Sequence, residues 1–170
     1  MKKMVLRYGL IAGLILSILM TVSMLLMQRE SINFKQGELF GYITMILALS
    51  FVFVGVYNYR KQQGPLSFGT AFSVGLMITL VASILYVGTW MILSNTVASD
   101  FGDLYYDYFI EQLKESGKNQ DEIDKAVAGF ERNKALYKNP LFQAGITFLE
   151  VFPIGLIVSL IAALILKKRK

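Results

Sequence analysis

The sequence contains no histidine and no cysteine. Without cysteine there are no disulfides, thiol nucleophiles or thiolate metal sites. Without histidine the commonest general base, the commonest transition-metal ligand and the usual sensor near neutral pH are gone. There is no phosphate-binding glycine loop and no nucleophile elbow. Chemistry here would have to rest on carboxylates, Lys, Arg, Tyr, Ser or Thr, so the sequence reads as non-enzymatic and free of cofactors. Charge is scarce as well: 17% of residues, against about 25% in a soluble protein. In its place stand apolar residues, 55% of the chain with a mean hydropathy of +0.52. Soluble domains usually hold about 45–50%.

The few charges cluster and leave long gaps. Tyr8 to Gln28 and Leu39 to Tyr59 are each 21 residues without charge. A third gap runs from Gln62 to Ser99, apolar from about Phe68 to Leu93, and a fourth from about Leu141 to Leu166 holds a single acid, Glu150. A helix rising about 1.5 Å per residue needs roughly 20 residues to cross about 30 Å of hydrocarbon. The runs are continuous rather than alternating, which argues against a β-barrel. The expected fold is therefore all-α: one polytopic membrane domain over residues 1–170, with helices at about 7–28, 39–59, 67–95 and 141–166. Lys2, Lys3 and Arg7 before the first run also suit a signal peptide. That run exceeds the usual h-region of about 7–15 residues, however, and no A-x-A site follows, so it reads as a retained helix.

Four spans place Lys2, Lys3, Arg7, Arg60, Lys61, Lys167, Lys168, Arg169 and Lys170 on one side, nine bases with no acid. The other side carries Arg29, Glu30, Lys35, Glu38 and the 100–140 loop, eight bases and eleven acids. Cytoplasmic loops carry the excess of Lys and Arg. Both termini are thus expected in the cytoplasm and the 100–140 loop on the opposite side of the membrane. The net charge of +5 then reflects topology and attraction to anionic lipid rather than to nucleic acid.

The loop has helical spacing. Phe101, Leu104, Tyr105, Tyr108 and Leu113 share one face. Ser116-Gly117 suits a stop, Asn119 with Glu122 forms part of a capping box, and Ile123, Val127, Phe130 and Lys134 to Tyr137 continue a second helix. Asn139-Pro140 ends it and leads into the fourth span. The expectation is an amphipathic helical hairpin outside the membrane.

Tyr59-Arg60, followed by Gly64-Pro65-Leu66-Ser67-Phe68-Gly69, precedes the third span. Tyr137-Lys138-Asn139-Pro140-Leu141-Phe142-Gln143 leads into Phe148-Leu149-Glu150-Val151-Phe152-Pro153-Ile154-Gly155. On these stretches nearly the whole chain resembles domain-of-unknown-function family 4199, bacterial membrane proteins found mostly in Bacteroidota. The resemblance implies four spans in a bacterial inner membrane, with the 100–140 loop then in the periplasm, and carries no activity and no catalytic residues.

Glu150 and Pro153 form the candidate intramembrane site. A carboxyl in a span costs roughly 2.5–3.5 kcal/mol, so Glu150 is expected to face the bundle or a water-filled cavity. No other span supplies a cation, and hydrocarbon surroundings favour the neutral acid. The site reads as a proton-titrating or cation-binding group, or as a neutral acid bonded between helices. Pro153 leaves the Leu149 carbonyl without its intrahelical donor, and broken helices in transporters bind ions with such groups. Small residues at four-residue spacing (Gly9, Gly13, Ser17 and Thr21; Ala71, Gly75, Thr79 and Ser83; Gly155, Ser159 and Ala163) suit close packing within the chain, or a homodimer through the first helix. Asp100, Asp103, Asp107 and Glu111 form a solvated acidic face or, alternatively, a divalent-cation site. Arg60, Lys61 and Lys167, Lys168, Arg169 and Lys170 set topology or meet lipid head groups. Three functions compete: an accessory membrane component with a protein partner or a second copy, a small transporter or proton- or cation-coupled channel using Glu150, and an intramembrane enzyme.

Overall fold

The computed structural model describes residues 1–28 and 33–168. Arg29 and Glu30 of the first loop, and Arg169 and Lys170 of the terminal cluster, lie outside the described residues. Among the described residues six helices form, in the order α1 (Lys2–Gln28), α2 (Phe34–Gln63), α3 (Phe68–Ser94), α4 (Phe101–Lys114), α5 (Gln120–Tyr137) and α6 (Pro140–Leu166). There is no β-strand among the described residues. Four helices (α1, α2, α3 and α6) are long and apolar enough to cross a membrane.

The helices outrun the uncharged stretches that mark them. α2 begins five residues before Leu39, on a reciprocal cap: the Asn33 side chain accepts from the Gln36 amide at 2.8 Å, and the Gln36 side chain accepts from the Asn33 amide at 3.1 Å. Uncharged length measures hydrocarbon, whereas a helix continues into the head-group layer with its backbone bonds intact. Its other end is set by Gly64 at φ 83°, a left-handed conformation that glycine adopts without steric cost. Ser67 then caps α3 by accepting from the Thr70 amide at 3.1 Å.

The chain divides into two compact units, residues 1–90 with 147–170, and residues 91–146. In the first, α3 is the central element, with Ala71, Val74, Ile78, Thr79, Ala82 and Ser83 fully buried. α1 and α3 run parallel: a Cβ added at Gly9 would lie 2.6 Å from Val81 Cβ, and one at Gly13 would lie 2.9 Å from Leu85 Cβ. The Ser17 and Thr89 hydroxyls bond at 2.8 Å two turns further along. α2 is antiparallel to α1, with Gly37 against Met27 and Gly55 against Tyr8.

In the second unit α4 and α5 pack on each other through rings. Phe109 stacks on Phe130, centroids 6.5 Å apart, and Tyr106 meets Tyr137 edge-on at 6.0 Å. Gly102 lies under Tyr137, where a Cβ would come within 2.8 Å of the ring. The face of α4 turned to α5 is therefore Gly102, Tyr106 and Phe109, about 100° round the helix from the face expected from Phe101, Leu104, Tyr105 and Tyr108; Leu113, grouped with that expected face, has the angular position of the α5 side. Leu104 is 51% exposed, whereas Ile110 is buried. Aromatic residues at four adjacent positions, 105, 106, 108 and 109, make the sequence pattern degenerate, and α5 decides the rotation. Gly117 turns the chain at φ 67°. Asn119 caps α5 by accepting from the Asp121 amide, one residue short of the N3 amide that a capping box would use.

Candidate functional site on the second and sixth helices

The small residues of α6 face α3. Gly155 leaves no room for a side chain, since an added Cβ would collide with Thr79 Cγ2. The Gly155 carbonyl accepts from Thr79 Oγ1 at 3.2 Å and from Ser159 Oγ at 2.7 Å, and the two hydroxyls lie 3.1 Å apart. Ser159 in turn lies against Gly75, 3.0 Å from where its Cβ would be. These groups are completely buried, and hydrogen bonds between helices in such surroundings are the main polar glue available. Ser83, one turn further along α3, is buried with its hydroxyl unpartnered. Gly9 and Gly13 are likewise taken up by α3. The glycine face of α1 is thus filled within the chain.

This packing fixes the rotation of α6. Thr147, Val151, Gly155, Ser159 and Ala163 point inward, and Glu150, one residue before Val151, comes out on the surface. The sequence reading expects it against the bundle or a water-filled cavity; in the structure it is exposed and does not enter the bundle interior, because the inward stripe belongs to the small residues. Pro153 and Leu149 are exposed on the same side. Glu150 makes no hydrogen bond or ion pair among the described residues. It does act electrostatically on Tyr42, as does Glu38, and Glu38 acts on Glu150. Two carboxyls and a phenol, from α2 and α6, therefore share one exposed patch. Leu39, Ile43, Ile46 and Leu149 around it are exposed and apolar.

Depth follows from helix rise. Glu150 is about 25 Å along α6 from Lys167, and Tyr42 about 27 Å along α2 from Arg60. Glu38 is about 33 Å from Arg60 by the same measure. If the bases mark one edge of about 30 Å of hydrocarbon, Glu150 and Tyr42 lie just inside the opposite edge and Glu38 at it. Residues 140–146 belong to the second compact unit, and the bundle part of α6 starts at Thr147. The sequence places Glu38 among the charges of the first loop and gives Tyr42 no signal of its own. Their i, i+4 spacing was visible, but their proximity to Glu150 depends on how α2 and α6 pack.

The bases Arg60, Lys61, Lys167 and Lys168 lie at the other end of the bundle, where the Lys168 amide donates to the Leu66 carbonyl at 2.7 Å. In the second unit the acidic face of α4 meets α5. Lys134 Nζ is 2.6 Å from Asp107 and 3.7 Å from Asp103, and Lys138 Nζ is 3.9 Å from Asp103. Two of the four acids thus face lysines, which removes the motive for a divalent cation there. The bond to Asp107 pushes the Lys134 ammonium pKa up, and burial pushes the Tyr106 phenol up.

No characterised protein and no solved structure matches the chain. The model of one family, described as a protein of unknown function (DUF4199), matches residues 7–168.

Proposed function

We propose, for a chain that belongs to the DUF4199 family of proteins of unknown function, that it is a non-enzymatic accessory component of the bacterial inner membrane, docked to a partner membrane protein through the exposed face of α2 and α6. The observation that carries this reading is a carboxyl within a span, Glu150, lying on the surface beside Glu38 and Tyr42. A carboxyl left against lipid is costly, and a partner helix bringing a base or hydrogen-bond donors relieves that cost. In this reading the termini and the basic end lie in the cytoplasm and the α4–α5 hairpin in the periplasm. The transporter reading asks Glu150 to line an internal polar path, which its exposed position does not favour.

The test is site-specific photo-crosslinking in native membranes. A crosslinker at Leu149 or Ile43 is expected to give a discrete protein adduct, reduced when Glu150→Ala is added. A crosslinker at Ile84, exposed on α3, should give none. Adducts with lipid alone from Leu149 and Ile43 would refute the docking face, and an adduct of twice the chain's mass would identify the partner as a second copy.

A further inference from the structure

The other end of the bundle carries bases without acids. Arg60 and Lys61 end α2, and Lys167 and Lys168 follow α6. The Lys168 amide donates to the carbonyl of Leu66, a buried residue in the turn between α2 and α3. That clasp holds the tail against the turn, so the two basic pairs are neighbours by construction rather than by chance of a free terminus. Arg7 joins them from α1, because Tyr8 packs on Gly55, little more than one turn before Arg60. The span carboxyls Glu150 and Glu38 are roughly 25 Å or more away along their helices, and among the described residues Arg60, Lys61, Lys167 and Lys168 form no ion pair. Tyr57, one turn before Arg60 and Lys61, is 51% exposed, and the Arg7 guanidinium sits 5.9 Å from the centre of the Tyr8 ring. Exposed tyrosines at the end of a span mark head-group depth. Arg60 is half-buried, which restrains a fork suited to two phosphate oxygens.

We infer that this clasped end is a binding site for the phosphate head group of an anionic phospholipid, held by Arg60, Lys61, Lys167 and Lys168. The inference is independent of any partner at Glu150. Each base near an anionic surface changes partitioning roughly fivefold, so two bases decide whether a lipid survives extraction.

The test reconstitutes the full chain into nanodiscs of phosphatidylcholine with a minor share of phosphatidylglycerol. Lipid retained after detergent extraction is counted by native mass spectrometry. Both leaflets have the same composition, so orientation does not affect the result. Phosphatidylglycerol is expected at about ten times its share of supply, and the enrichment should fall at least about fivefold in Arg60→Gln/Lys61→Gln and in Lys167→Gln/Lys168→Gln. High salt should reproduce that loss in the wild-type chain, which keeps the test decisive if a variant fails to fold. Equal retention of the two lipids, enrichment unchanged in both variants, or displacement of the lipid by inorganic phosphate at equal concentration would each overturn the inference.

Discussion

Substituting Gly155 by valine sets a branched side chain where Thr79 already stands. Overpacking of this kind costs about 1–3 kcal/mol, so Gly155→Val should lower the unfolding midpoint in detergent. Gly88→Ala is the control: nothing lies within 4 Å of that position, and alanine in a helix interior is favoured over glycine by about 0.5–1 kcal/mol. The hydroxyls offer a second contrast. Thr79→Val removes the bonds to Gly155 and Ser159 and should cost about 0.5–1.5 kcal/mol. Ser83→Ala removes a buried hydroxyl that has no partner and should leave the midpoint unchanged or raise it. Equal losses in both would mean that Ser83 is bonded after all. The sequence displayed these small residues at their four-residue spacing. It did not show which helix each stripe meets, because any small stripe suits any other.

Among the elements, the α4–α5 pair responds to alkali. The Lys134 pKa is raised from 10.5 by its bond to Asp107, and the Tyr106 pKa is raised from 10.0 by burial. Both shifts favour the protonated form in the folded state. Their contribution is complete below about pH 10 and disappears as pH rises through the raised folded values. The pair should therefore loosen above pH 10, seen as lost circular dichroism together with a late rise in tyrosinate absorbance. Lys134→Met should remove the lysine part of that dependence. Unchanged dichroism well beyond pH 10 would count against the packing described for Tyr106 and Lys134. Lys134 is exposed enough that salt will screen its share. The two helices and the turn at Ser116-Gly117 were legible from spacing and glycine. The rotation of α4 was not, since rings at Tyr105, Tyr106, Tyr108 and Phe109 cover an arc of about 160° and period alone cannot choose among them.

At the scale of the whole molecule, the four membrane-length helices were legible because hydrocarbon thickness dictates the length of an apolar run. The outward position of Glu150 was not, because it depends on which face of α6 meets α3. Orientation is open to a clean test, since the natural chain has no cysteine. Ser116→Cys should react with an impermeant maleimide added outside the cytoplasmic membrane. Gln62→Cys should react only after that membrane is breached. The reverse pattern would invert the assignment.

Thr79, Gly155 and Ser159 bolt α6 to α3, while Gly9, Gly13 and Ser17 seat α1 on α3's other flank. Three of the four spans are thereby ratcheted together by contacts too close to slide. α2 is seated by close approach as well, at Gly37 against Met27 and at Gly55 against Tyr8 and Ile78, so a shift of any one of the four spans has to open a glycine contact.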